Sequence, residues 1–136
     1  MANNDWIMEL ETKVFTILKT KLRNKFKKDF PHLYVTSSDQ TQETPVFPTV
    51  YIHMMGGSEN NRDMEGYSVN ALECTFQIEV TTNTTQEDAR KVMFEVVNAM
   101  KSMRFFVVTS PEFGNQNNMY RLVSRFRRTI GSNDTI

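Results

Sequence analysis

Residues 72–80 read LECTFQIEV, and the alternation is strict. Leu72, Cys74, Phe76, Ile78 and Val80 fall on one side, and Glu73, Thr75, Gln77 and Glu79 on the other. A period of two over nine residues predicts a strand with one buried and one wet face. Everything else in the chain has to supply a core for that one face.

Downstream, Thr84-Thr85-Gln86-Glu87 has the spacing of a capping box, with Thr84 and Glu87 three apart. Ala89, Val92, Met93, Val96, Val97, Met100 and Met103 then recur at helical spacing, which predicts a helix over about 85–103. Phe105 to Thr109 reads as a strand, 110–118 as a turn-rich loop, and Tyr120 to Ile130 as a long final strand with Tyr120, Leu122 and Phe126 inward. Residues 131–136 are expected to fray.

Upstream, the segment GGSENNRDMEG, 56–66, is bracketed by glycines and predicts an extended hairpin tip or arm over 56–67. Before it, Phe47 to Met55 reads as a strand with Val50, Ile52 and Met54 on one face and His53 on the other. Pro48 donates no ladder hydrogen bond, so it belongs at a strand start or edge. Residues 37–46 are a polar loop, and Leu33 to Thr36 a short strand. Asn3 to Asp5 offers a helix N-cap. The stripe Ile7, Leu10, Val14, Ile17/Leu18, Leu22, Phe26 predicts a helix over 5–29, stopped by Phe30-Pro31. All five glycines are expected outside these elements. The reading is a single α+β domain over 1–136: a largely antiparallel sheet of about five strands, two helices on one face, order α-β-β-β-α-β-β.

At 136 residues, with 39% hydrophobic and 24% charged, the chain can build a core without staples. Its one cysteine, Cys74, excludes an intrachain disulfide. Met1 to Leu10 lacks a basic start and apolar core, so no signal peptide is expected. No apolar run approaches the roughly 20 residues of a membrane span, so no membrane partner is expected. Net charge is zero, but it is unevenly spread: residues 1–30 sum to +3, 31–100 to −7, and 101–136 to +4. Opposed charged segments suit complementary protein contacts, beside the simpler reading that both signs solvate a small domain.

Catalytic chemistry is hard to place. His32, His53 and Cys74 do not have zinc-ligand spacing. No GxSxG or phosphate-binding loop occurs, and Gly56-Gly57 does not open a helix. No enzyme activity, metal or cofactor is expected. Of the two basic clusters, Lys19 to Lys28 complements the end of the first helix. Arg121, Arg125 and Arg127 share one face of the last strand, with Arg128 opposite, and want carboxylate partners in the same or a neighbouring subunit. Most strand aromatics fall on inferred core faces, unlike the stacking platforms of RNA-binding sheets. The candidate contact residues are Glu59, Arg62, Asp63, Met64 and Glu65 in the glycine-bracketed segment, with Arg121, Arg125 and Arg127.

Four stretches, FPTVYIHMMGG (47–57), DMEGYSVNALECTFQIEVTTN (63–83), DARKVMFEVVNAMKSMRF (88–105) and MYRLVSRFRRTIG (119–131), resemble the tail-terminator (tail-completion) proteins of siphophages infecting Gram-positive bacteria. The resemblance covers roughly residues 5–131. It implies a homo-oligomeric ring, usually a hexamer, in the virion at the head–tail junction. Such a ring stops tail-tube polymerisation and docks the head-completion or connector protein, with phage DNA passing through its lumen. An acidic central region would suit such a lumen. The alternatives are another head–tail joining protein, such as a head-completion or stopper protein, and a small nucleic-acid-binding regulator.

Overall fold

A computed structural model describes residues 5–37, 47–60, 71–114, 119–131 and 136. The elements are α1 (Asp5–Lys25), β1 (Tyr34–Thr36), β2 (Thr49–Asn60), β3 (Ala71–Thr82), α2 (Gln86–Ser102), β4 (Phe106–Phe113) and β5 (Tyr120–Gly131). The expected α+β class and element order are therefore found. The strands form one sheet in the order β1-β2-β3-β5-β4. Among the described residues, β1 and β2 form a parallel pair and the other three pairings are antiparallel.

The deciding strand behaves as its alternation requires. In β3, Leu72, Cys74, Phe76, Ile78 and Val80 are buried, and the residues between them are half-buried. Register carries that face across the sheet. Phe76 lies between Met54 and Phe126, Ile78 between Ile52 and Ser124, and Val80 between Val50 and Leu122. Helix α1 adds Leu10, Val14, Leu18 and Leu22, the turn after it adds Phe26, and α2 adds Ala89, Val92, Met93, Val96 and Met100. Phe76, Ile78, Val96, Met100, Leu122 and Phe126 thus share one core. Phe105 meets Phe76 edge-on at 5.6 Å between ring centroids, a favoured aromatic geometry.

Several boundaries differ from the sequence reading, each for a local reason. Helix α1 ends at Lys25 and the chain continues in turns, with Phe30 N–H still bonded to Phe26 O at 2.8 Å. The cap of α2 is Thr85, one residue later than expected: its Oγ1 accepts from Asp88 N–H at 3.1 Å, while Thr84 Oγ1 donates to the Asp88 carboxylate at 2.6 Å. Strand β2 does not stop at Met55. It runs through Gly56 and Gly57 to Asn60, and the register slips by one residue between Met55 and Ser58. Glycine tolerates the kink of such a bulge, so these two glycines sit inside a strand rather than outside it. Gly131, likewise, is the last residue of β5.

Strand β4 runs on through Pro111 to Phe113, over much of the expected loop. It can hold a proline because it is an edge strand. Its pairing with β5 slips twice, between Val107 and Thr109 and between Thr109 and Glu112. Of the expected frayed end, 132–135 lie outside the described residues, and Ile136 packs against the core.

The C-terminus of α2 closes with Arg104 N–H bonded to Lys101 O at 2.9 Å and Phe105 N–H to Met100 O at 3.0 Å. This is the Schellman arrangement, which places one residue in the left-handed region. Here that residue is Arg104, at φ 66°, where glycine is the usual choice. Arg128 reaches the same helix end from the inner face of β5. It is buried, and its Nη1 donates to Met103 O at 2.9 Å, setting a cation at the negative end of the helix.

Candidate functional site

Residues 72–80 leave Glu73, Gln77 and Glu79 on the sheet face away from the helices, opposite the odd-numbered arginines of β5. Arg121 pairs with Glu79, which also accepts from Gln77 Nε2 at 3.1 Å. Arg125 Nε donates to Gln77 Oε1 at 3.0 Å, and Arg127 lies 3.6 Å from the Glu73 carboxylate. The three arginines share a face, as expected, and their carboxylate and amide partners belong to the same chain. All three are exposed, so each pair contributes at most about 1 kcal/mol, and together they fix cross-strand register more than stability.

Of the other candidate residues, Glu59 lies in β2 in register with Leu72. Arg62, Asp63, Met64 and Glu65 lie outside the described residues.

The same open face carries Tyr51 and His53, whose rings stack at 6.0 Å and 10°. Phe106 sits there too, in register with Arg127 and 69% exposed. The expectation that strand aromatics face the core therefore holds for Phe76 and Phe126 but not for these residues.

His32 and His53 are both exposed, and Cys74 is buried at the opposite face. Burial pushes the Cys74 thiol up to about 11, although the neighbouring Arg128 pulls the other way. Such a thiol is a poor nucleophile at neutral pH. Among the described residues, no group of three or more His, Cys, Asp or Glu side chains is placed to hold a metal ion. No described helix is long and apolar enough to cross a membrane.

The feature that the sequence reading missed is an apolar flank along β4 and the adjoining side of α2. Phe94 is 64% exposed and Val108 49%, with Val107 also exposed. Between α2 and β4 runs a groove of about 770 Å³, floored by Met93, Val97, Phe113 and Leu122 and rimmed by Arg90 and Lys91. Arg90 lies over the Phe113 ring at 5.0 Å. The signal was present in the sequence. Phe105-Phe106-Val107-Val108 is four apolar residues in a row, and a strand can bury only alternate ones. Phe94 likewise lies off the helical stripe that marks the buried side of α2.

No protein-family model matches this chain, and no curated protein matches it.

Proposed function

We propose that this chain is a structural subunit of a phage tail-terminator ring, a non-catalytic building block needing no metal or cofactor. The apolar flank of β4 and α2 is the observation that carries the structural half of this reading. A small domain that exposes Phe106 and Val108 on an edge strand and Phe94 on the adjoining helix has a surface suited to protein contact. The phage half rests on the resemblance of four stretches that here form β2, β3, α2 and β5, the frame of the domain.

In this reading copies assemble head to tail, usually six to a ring, at the head-proximal end of the tail tube. One rim stops addition of tail-tube protein, and the other docks the head-completion or connector protein. DNA passes through the lumen without specific binding. Opposed charges along the chain supply the complementary surfaces that a heterologous ring contact needs.

Cryo-EM of virions, or gold labelling of a tagged chain, tests the proposal. Density for the chain should lie at the head–tail junction. A knockout phage should make tubes of uncontrolled length that fail to join heads. Normal tails joined to heads in the knockout would sink the reading. Tails of correct length left unjoined would favour another head–tail joining protein instead.

A regulator that binds single-stranded nucleic acid on the open sheet face is the second reading. It draws on the Tyr51–His53 stack, which shares the open face with Arg125 and Arg127 on the far side of β3. Against it, those arginines already face Gln77 and Glu73. Submicromolar binding that falls steeply with salt would promote it.

A further inference from the structure

Helix α2 has two flanks, and among the described residues a helix occupies one of them. On that flank, Lys21 Nζ of α1 donates to Ser102 Oγ at 2.7 Å, and Lys25 lies 3.9 Å from the Glu95 carboxylate. On the other runs the groove of about 770 Å³, between Arg90, Phe94 and Val97 of α2 and Pro111 and Phe113 of β4.

The geometry of the two layers explains this gap. A helix is roughly 10 Å across and neighbouring strands lie roughly 4.8 Å apart, so one helix covers about two strands. Two helices over a five-stranded sheet leave one strand without cover. That strand is β4, at the end of the order. Val107 shows the consequence. Its register partner Phe126 is buried on the helix side, yet Val107 itself is exposed.

We propose that this groove seats a third helix, supplied by a partner protein, apolar on the face that it inserts and acidic beside that face. The proposal rests on the reading of this flank as a protein contact and states what the contact takes.

Three observations select this occupant. The first is shape. From Arg90 to Val97 the groove follows α2 for about 10 Å, at roughly 1.5 Å per residue, which matches about two turns of a helix laid alongside. An added strand fits this edge poorly, because Pro111 has no N–H to donate and the register of β4 slips twice.

The second is charge. Among the described residues, the groove is lined by two cations, Arg90 and Lys91, both exposed, and by no carboxylate. The Arg90 guanidinium lies over the Phe113 ring at 5.0 Å. Stacked in this way, it still presents its N–H edge, whose fork fits a carboxylate. A helix with acids beside its apolar face matches both the floor and the rim.

The third observation sets a second copy aside. Both described helices already bury their apolar stripes in their own domain, through Leu10, Val14 and Leu18 in α1 and Val92 and Val96 in α2. Neither shows a second such face among its described side chains. In the ring reading, the helix therefore comes from a protein docked on the ring rather than from a neighbouring subunit.

Three synthetic peptides test the proposal. Two are stapled helices with leucines at i, i+3, i+4 and i+7, flanked in one by glutamates and in the other by lysines. The third keeps the acidic composition but carries prolines that prevent a helix. Each is labelled with fluorescein, and anisotropy reads its binding to the full chain. The acidic helix should bind at least about tenfold tighter than either of the others. Arg90→Glu with Lys91→Glu should reverse the preference between the two helices. Lys13→Glu with Lys21→Glu changes net charge equally outside the groove and should leave the preference standing; circular dichroism checks that both variants are folded. Absence of binding by the acidic helix overturns the proposal, as does equal binding by the basic helix or the proline peptide. The same holds if both pairs of substitutions act alike. If the wild-type chain self-associates and Phe94→Asp abolishes this, a second copy fills the groove: the proposal fails and the ring reading stands. If the acidic helix binds as expected but the chain is absent from the head–tail junction, the groove assignment stands and the ring reading fails.

Discussion

Strand β5 has two neighbours and treats them differently. Toward β3, Tyr120 to Gly131 pair with Thr82 to Ala71 in unbroken register over twelve residues. Toward β4, the register slips twice within eight residues. In the first seam, each residue has its face decided by core or by water, and an error of one would turn Phe126 outward and Arg127 inward. In the second, neither face is fully committed. Val107 is in register with buried Phe126 yet is itself exposed, and Val108 sits where the pairing slips. The regular seam is where the chain specifies its fold. The irregular one is where apolar surface is left over, and bulges there limit which partner strand can fit.

The strongest way to test this contrast is to cut both seams. Phe76→Ala should lower unfolding free energy by roughly 3–5 kcal/mol in denaturant melts, because Phe76 is fully buried between Met54 and Phe126. Val108→Ala on the edge should stay within about 0.5 kcal/mol of wild type. Equal losses would erase the distinction between the seams.

A smaller effect is expected at Arg128, the buried cation on the regular seam. Arg128→Ala should cost about 2–3 kcal/mol, since it removes a charged hydrogen bond from the end of α2 and leaves the Met103 carbonyl without it. A loss no larger than that of an exposed arginine would mean that the Met103 bond contributes little.

Cys74, in register with Arg128, reports the same region by chemistry. A thiol raised to about 11 keeps its proton in the folded chain above the ordinary value of 9.0. Its contribution to stability is therefore complete below about pH 9 and declines as pH rises toward 11. At neutral pH, a thiol reagent should label Cys74 only as fast as the protein opens. Rapid labelling of native protein would show the seam to be looser than its register implies.

Two weaker effects complete the series. Arg104→Gly should stabilise the fold by about 0.5–1 kcal/mol, because glycine enters the left-handed region without strain. Arg125→Ala should change stability by less than about 1 kcal/mol, its bond to Gln77 being exposed.

What could be read in advance follows the same division. The strict alternation of residues 72–80, the stripe of α1 and the stripe of α2 each have one dominant period, so class, element order and shared core were legible. The end of β2 was not, because Gly56-Gly57 marks a turn far more often than a bulge. The extent of β4 was missed because Pro111 reads as a terminator unless the strand is known to lie at an edge, a fact of topology rather than of sequence. The arginine row was legible in its face but not in its partners, since Glu73 and Glu79 come diagonally across from Arg127 and Arg121 only through long-range register. The apolar flank leaves a trace in the four apolar residues in a row at 105–108, more than one strand can bury on a single face.

The long seam between β3 and β5 also sets a timetable. Its partners are distant in the chain: Ala71 meets Gly131 only after α2 and β4 have been passed. Hairpins such as β4–β5 and the helix α2 close short loops and form early, on the microsecond scale. The seam must wait for a large loop to close, which should make this fold slower than a helical bundle of the same size. During that wait β3 has only β2 beside it, and its other edge is open while Phe76 and Ile78 still lack their cover. A cell making many copies at once holds many such half-finished sheets together. The interval before β5 arrives is thus the period in which copies are most at risk of pairing with one another in the wrong way.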